Sequence, residues 1–281
     1  MNSHLLRHYA RRRKPILLLI FLTLALIALA HLLSSLTLDR AIQYKRVPFR
    51  SEKIPPELNG FTIAFISDTH DMTAVQLRAM VEKLNKYNPD IAILGGDFPS
   101  ASGAPARAMA ELGKIETKHG IFGIEGNHDN YRTLFAAMEQ NGITPLSNSG
   151  IRISENLYLA GVEDLWNRSP DIQAAISQAK PDDFVILAAH NPDVAMRQDT
   201  VGCDLILSGH THGGQITFLG LWAPTLSLRK TVTDYGQRFM SGWSVSRDGI
   251  PVYVSRGVGT FQRVPRVFAR PQVVLITLFS D

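Results

Sequence analysis

Five short apolar runs in this chain end in the same way, each stopping abruptly at a polar group. Phe61-Thr62-Ile63-Ala64-Phe65-Ile66 runs into Ser67-Asp68-Thr69-His70, and Ile91-Ala92-Ile93-Leu94 into Gly95-Gly96-Asp97. Gly120-Ile121-Phe122-Gly123-Ile124 leads to Gly126-Asn127-His128-Asp129, Phe184-Val185-Ile186-Leu187-Ala188 to His190, and Leu205-Ile206-Leu207 to Gly209-His210-Thr211-His212. Continuous apolar runs bounded by glycine predict strands buried on both faces. Polar groups at their carboxyl ends then gather along one rim of a sheet.

Between these runs the period changes. Residues 74–87 place Val75, Leu77, Met80, Val81 and Leu84 at spacings that a helix puts on one side, and Pro89-Asp90 closes it. Residues 105–115 and 131–140 also predict helices, with Pro105 suited to a first helical position. The first half therefore reads βαβαβα. Further on, 151–161 predicts a hairpin, 172–178 a short helix, and 216–218, 252–254 and 273–278 strands. There is no internal repeat, and at 281 residues with 45% hydrophobic composition the chain can bury one large core.

A different pattern precedes this body. Residues 16–38 are apolar apart from Thr23, His31, Ser34, Ser35 and Thr37, about the length that crosses a bilayer. Arg7, Arg11, Arg12, Arg13 and Lys14 precede the segment and a mixed flank follows, so the positive-inside bias places the amino terminus in the cytoplasm and the body outside. The alternative is a cleavable signal peptide, because Ala28-Leu29-Ala30 resembles a cleavage site. A twin-arginine signal fits less well, since Lys14-Pro15 follows the arginines. The expected organisation is a basic tail (1–15), a membrane anchor or signal sequence (16–38), a linker or edge strand (39–60) that could rest on anionic headgroups, and a catalytic domain (61–281).

Charge changes the picture once it is located. The net charge is +4, but removing the five amino-terminal cations from the 29 basic residues leaves 24 against 25 acidic ones. The totals therefore give no basic face for nucleic acid, and none is expected as a partner. The single cysteine, Cys203, rules out an internal disulfide and a cysteine-rich zinc cage, and it reads as a small core residue.

The strand ends carry the chemistry. Asp68, His70, Asp97, Asn127, His190, His210 and His212 are seven candidate ligands, and their imidazoles argue for Mn, Fe or Zn over Mg or Ca. Any one of them has a plain structural reading: Asp68 or Asp97 as a helix cap, Asn127 as a turn residue, His190 as a buried histidine. The force of the pattern is that all five strand ends carry such groups at once. Two divalent cations about 3.5–4 Å apart, sharing one carboxylate, would polarise a phosphoryl group and activate water for in-line attack. His128 is placed in sequence to protonate the leaving oxygen, and Asp129 to orient that imidazole through its second ring N–H. Arg256 and Arg266 could hold a phosphate or form structural ion pairs, and Trp166 and Trp222 could border the substrate or pack. Loops 98–104, 163–170 and 219–250 are the expected specificity elements.

In order and spacing, Asp68-Thr69-His70, Gly96-Asp97, Gly126-Asn127-His128-Asp129, His190 and Gly209-His210-Thr211-His212 resemble the five-block signature of the calcineurin-like metallophosphoesterases. Gly213-Gly214-Gln215, Ser255-Arg256-Gly257-Val258-Gly259 and Arg266-Val267-Phe268-Ala269-Arg270-Pro271 are similar to the membrane-associated or exported bacterial phosphodiesterase branch. The resemblance implies a four-layer α/β/β/α sandwich. It implies two divalent metal ions, one held by Asp68, His70 and His212, the other by Asn127, His190 and His210, with Asp97 bridging and His128 as general acid. A phosphate-ester substrate, lipid- or envelope-derived, is expected, with the apolar segment placing the chain at the bacterial inner membrane, and no obligate protein partner is inferred. Two alternatives stand beside the phosphodiesterase. One is a lipid-linked pyrophosphate hydrolase of the UDP-diacylglucosamine type, which needs access from the cytoplasmic face. The other is a non-catalytic metal-stabilised membrane module, which has no need of His128.

Overall fold

The computed structural model describes residues 3–70, 72–99, 104–227 and 232–281. The chain begins with helix α1 (Ser3–Leu36), whose apolar part belongs to a span, Pro15–Arg40, that is long and apolar enough to cross a membrane and whose most apolar stretch is unburied by the rest of the chain. A single 3-10 turn, Leu38–Arg40, ends it and delivers the backbone to strand β1 (Gln43–Ser51).

The apolar runs then form strands as their patterns require. β2 (Thr62–Ile66), α2 (Ala74–Asn85), β3 (Ile91–Leu94), α3 (Ala104–Leu112), β4 (Ile121–Gly123), α4 (Tyr131–Gln140) and β5 (Ile143–Pro145) follow in alternation. The second half contributes β6 (Ser149–Ser154), β7 (Leu157–Gly161), α5 (Ile172–Ile176), β8 (Phe184–Ala188), α6 (Val194–Arg197) and β9 (Leu205–Ser208). After α7 (Pro224–Ser227) come β10 (Gly242–Val245), β11 (Pro251–Val254) and β12 (Gln272–Ser280).

These strands make two six-stranded sheets, ordered β1-β12-β2-β3-β4-β5 and β10-β11-β9-β8-β7-β6. Their centres are parallel, as in Ile63 opposite Ile91 and Ile186 opposite Leu205, while β12 runs antiparallel to β2 and the edge strands β6 and β10 run antiparallel to their neighbours. Alternate side chains of one strand serve two different cores. Ile63 and Phe65 of β2 pack between the sheets with Ile186, Leu205 and Leu207, whereas Ala64 and Ile66 face α2 and α3 through Leu77, Leu84 and Met109. In the second sheet Phe184 and Ile186 point inward, and Val185 and Leu187 meet Ile172, Val194 and Phe239 outside. The result is a four-layer α/β/β/α sandwich, and it explains why these strands are apolar throughout.

Helix starts sit beside the ligand-bearing turns. Thr73 and Gln76 form a reciprocal capping box at α2, and Asn130 caps α4 by accepting the Thr133 N–H. The segment 216–218, expected as a strand, makes only isolated bridges, Ile216 with Val267 and Phe218 with Trp222. Positive φ at Gly214, Gln215, Leu219 and Gly220 bends the chain on either side of it and prevents a ladder.

Candidate metal centre

Asp68, His70, Asp97, Asn127, His190, His210 and His212 come together at the carboxyl ends of β2, β3, β4, β8 and β9, where the two sheets face each other. Asp68, His70 and His212 form one group whose ligating atoms lie within 4.8 Å of one another, and Asp97, His190 and His210 form a second. Asp97 Oδ2 lies 3.4 Å from His70 Nε2 and 3.3 Å from His190 Nε2, so it stands between the groups. The His70 and His212 Nε2 atoms face each other at 3.0 Å.

Main-chain contacts set the imidazole tautomers. A carbonyl only accepts, so His190 Nδ1 donates to Gly95 O at 2.7 Å and His210 Nε2 donates to Val232 O at 2.8 Å. In the neutral ring the opposite nitrogen then keeps its lone pair for a cation. His190 Nε2 and Asn127 Oδ1 are buried without a hydrogen-bond partner, which is the condition of atoms shaped for a metal rather than for the protein. The donor set of imidazole, carboxylate and amide oxygen fits a divalent transition metal.

Electrostatics agree with that fit at His70, His210 and His212, whereas His190 is held as a cation against Asp97 and would give up a proton to a metal. Burial, followed for His210 by the charge of His190 and for His212 by Arg266, holds both imidazoles in the neutral form; His210 is lowered to about 3. His70 is lowered as well, by burial above all. Burial opposes charge on Asp97 and His190, but their mutual attraction outweighs it: Asp97 stays far below the usual carboxylate range and His190 is pushed up to about 10.

The backbone is strained where these groups are presented. Asp68, His70, Asp97, His210 and His212 all have positive φ, between 29° and 70°, a region non-glycine residues rarely occupy. Glycines make room around them. A Cβ on Gly126 would lie 2.3 Å from Asp97 Oδ1, and one on Gly209 would lie 2.5 Å from Asp68 Oδ2.

Two expectations are corrected. The Asp129 carboxylate does not orient the His128 ring; it accepts the backbone N–H groups of Asp97, Phe98 and Gly126 at 2.8–2.9 Å and so holds the two ligand-bearing turns together. Burial, then the Asp97 charge, pushes its carboxyl up to about 7. Arg266 has no donor left for a phosphate. It is 2% exposed and spends all five N–H groups on the carbonyls of Gly259, His212 and Ala269 and on His212 Nδ1. Arg256 is half-buried, bonded to Ser241, and absent from the wall of the site cavity.

That cavity has a volume of about 260 Å³ and is lined by Asp97, Asn127, His128, His210 and His212 together with Trp166, Ile216, Val232, Phe261 and Val264. His128 is exposed into it, and its N–H is bonded to Asp97 Oδ1 at 2.8 Å. Trp166 stands edge-on to His210 at 4.6 Å. Phe261, which sequence reasoning missed, packs its ring 5.1–6.2 Å from His70, His128 and His212 and is pinned by Gln215 through its N–H and carbonyl. Nothing local marks it, since it lies in a 3-10 turn remote in sequence from every ligand. A larger cavity of about 700 Å³ lies at the foot of α1 between Asp39, Tyr44 and Lys83, and none of the candidate ligands lines it.

Two facing sheets that present imidazoles and carboxylates along one strand-end rim define a class of α/β protein with a candidate divalent-metal site at that rim. The chain belongs to the calcineurin-like phosphoesterase family, whose model matches residues 61–214. Membership supports a phosphoester hydrolase. The chain is 29% identical over 248 residues to an uncharacterised metallophosphoesterase, YkuE, of Bacillus subtilis, covering 82% of this chain and 83% of that one. It is 30% identical over 226 residues to YpbG of the same organism, at 77% and 80% coverage. A transmembrane protein with metallophosphoesterase domain from Danio rerio is 29% identical over 250 residues, covering 81% of this chain and 55% of that protein, so the chain spans about half the length of that vertebrate relative.

Proposed function

We propose that the chain is a membrane-tethered phosphodiester hydrolase whose rim holds two divalent cations of the Mn, Fe or Zn type. Asp68, His70 and His212 would hold one, Asn127, His190 and His210 the other, and Asp97, which stands between the two groups, would serve both. The observation that carries this reading is the position of Asp97 Oδ2, within 3.4 Å of a histidine from each group. Bound there, such cations supply Lewis-acid polarisation of the phosphoryl group and activation of the attacking water.

The chain's own residues do the rest. The carbonyls of Gly95 and Val232 hold His190 and His210 in the ligating tautomer. Arg266 is a positioning residue for His212, and Asp129 for the turns carrying Asp97 and Asn127. His128 faces the cavity from a backbone tied to Asp97, and its imidazole protonates the departing oxygen. In the organisation that goes with this reading, 1–15 is a cytoplasmic tail, 16–38 a single span of the bacterial inner membrane, 39–60 the connection and 61–281 the extracytoplasmic catalytic domain. The charge bias around the apolar segment supports that orientation.

The test is hydrolysis of a chromogenic phosphodiester and a phosphomonoester by the full chain, with Mn²⁺ or with chelator, for wild type and Asp97→Asn. The expected result is metal-dependent cleavage that favours the diester and falls at least a hundredfold in the variant. A folded, metal-loaded wild type that cleaves neither ester overturns the reading.

A further inference from the structure

The turn that follows the last histidine block carries apolar side chains where a turn normally carries polar ones. Phe218, Leu219, Leu221 and Trp222 surround Gly220, and the turn is closed by the Phe218 N–H on Trp222 O at 2.7 Å, with positive φ at Leu219 and Gly220. Tips of this kind are ordinarily Gly, Asn, Asp or Ser. Phe218 is 48% exposed, Trp222 42%, and Leu221, at 77%, is more exposed than any other large apolar residue among the described residues of the body.

The turn touches the apolar helix inside its span. The His31 ring lies 5.6 Å from Phe218 and 4.9 Å from Phe268, and the Leu219 N–H approaches His31 Nε2 at 3.5 Å. His31 Nδ1 donates to Ile27 O, so Nε2 is the acceptor that this contact needs. The helix foot is fixed to the same region: Asp39 accepts from Ser34 and from the Phe268 N–H, and Arg270 donates to Ala41 O. The Pro15–Arg40 span of 26 residues is about 39 Å long, against about 30 Å of hydrocarbon. His31 is nine residues, about 14 Å, from its end, so a turn seated on His31 cannot stand clear of a bilayer that this helix crosses.

The patch also reaches the metal site. Ile216 and Val264 are both exposed and both line the site cavity, and Phe261 continues that apolar wall to the histidines.

Resting on the phosphodiesterase reading, we propose that the 218–222 turn inserts into the leaflet beside the anchor, so that the site opens at the membrane surface and takes the phosphodiester of an amphiphilic lipid drawn from that leaflet. The bilayer is the occupant because the helix that emerges from the patch is itself an uncovered apolar span. The lipid's acyl chains stay against Ile216, Val264 and the turn while its phosphoryl group reaches the rim, and hydrolysis adds water across the P–O bond to leave a phosphomonoester and an alcohol.

Two measurements on the full chain in vesicles of phosphatidylcholine and phosphatidylglycerol test this. With brominated acyl chains, wild-type tryptophan fluorescence is expected to be quenched, and Trp222→Phe to remove most of that quenching; wild type and variant quenched alike would overturn the insertion. The second measurement compares diacylglyceryl p-nitrophenyl phosphate in the vesicles with soluble methyl p-nitrophenyl phosphate. Leu221→Glu, and independently Leu219→Asn, whose side chain tolerates the positive φ, are expected to lower the lipid rate at least tenfold and leave the soluble rate within twofold. An unchanged ratio would overturn lipid entry past the turn. If wild type cleaves neither ester, the phosphodiesterase reading fails, and the quenching alone decides the insertion.

Discussion

Asp68 and His210 join the two sheets across the rim: both carboxylate oxygens of Asp68 accept the main-chain N–H of His210, at 3.0 and 3.2 Å. Asp68 thus serves as a candidate ligand and as a tie between the end of β2 and the end of β9. Replacement by asparagine separates these roles, because one oxygen still accepts the N–H while the charge is gone. In chelator, Asp68→Asn is expected to melt close to wild type. Added Mn²⁺ at about 100 times its Kd stabilises wild type by about 2.7 kcal/mol, roughly 5–10 °C. In the variant that rise should be largely missing. Scanning calorimetry of both proteins with and without metal checks it, and an equal rise in both would remove Asp68 from the ligand set.

Gly126 has no side chain because Asp97 occupies the space. A Cβ there would meet Asp97 Oδ1 at 2.3 Å and Asp97 N at 2.6 Å, and the second of these is backbone that cannot rotate away. Gly126→Ala is therefore expected to cost about 1–3 kcal/mol, as overpacking does, and to reduce bound metal by displacing the residue between the two ligand groups. Denaturation midpoint and metal content per chain are the readouts. A variant with wild-type metal content and stability would show that the turn yields more easily than its geometry implies.

The legible part of this fold was the part written locally. Five apolar runs that stop at Asp, Asn or His reported buried strands and placed their ends on one rim, and the spacing of Leu77, Met80, Val81 and Leu84 reported the buried face of α2. Elements whose partners are distant in sequence were not legible. β1 pairs with β12 across more than 200 residues, and β5 and β10 are three- and four-residue strands without a pattern of their own. The same division holds inside the site. Ligand identity could be read from residue type, but the aim of Asp129 at backbone N–H groups, the enclosure of Arg266 by carbonyls and the approach of Phe261 to three imidazoles are products of tertiary packing.

Arg266 gives that last point a test. Lysine keeps the charge but offers three donors on a flexible stem in place of a planar fork of five, so Arg266→Lys leaves at least one acceptor among Gly259 O, His212 O, Ala269 O and His212 Nδ1 unmet. Each buried acceptor so left costs about 1–3 kcal/mol. The expected outcome is a clear drop in urea midpoint together with lower metal affinity, because His212 loses its support. Unchanged metal affinity in a destabilised variant would restrict Arg266 to the fold.

The tie between α2 and α3 predicts an acid-dependent loss of stability away from the site. Glu111 accepts from Arg78 at 2.7 and 3.1 Å and from Lys114 at 2.8 Å, and these bonds, Arg78 first, lower its carboxyl to about 2. A folded pKa below the unfolded value contributes stability that is complete above about pH 4.5 and is lost as pH falls towards 2. Arg78 and Lys114 are more than half exposed, so screening reduces the contribution to about 1 kcal/mol. In chelator, Glu111→Gln should be less stable than wild type by about that amount at neutral pH, and the gap should narrow between about pH 4.5 and 3. A gap constant across that range would assign the effect to shape rather than charge.

His128 carries the sharpest chemical prediction. Its ring faces the cavity 5.1 Å from Phe261 and 5.5 Å from His70, with its backbone held by Asp97. A general acid matters in proportion to how badly the leaving oxygen needs a proton, so p-nitrophenolate, which leaves unaided, needs it little and an alkoxide needs it greatly. His128→Asn is expected to slow a p-nitrophenyl diester by about tenfold and an alkyl diester by about 10²–10⁴-fold. Plotting log kcat against leaving-group pKa for both proteins gives the comparison: the variant's line should be the steeper. Parallel lines would mean that His128 stabilises charge on phosphorus equally for every ester, and the proton would then have to come from elsewhere on the rim.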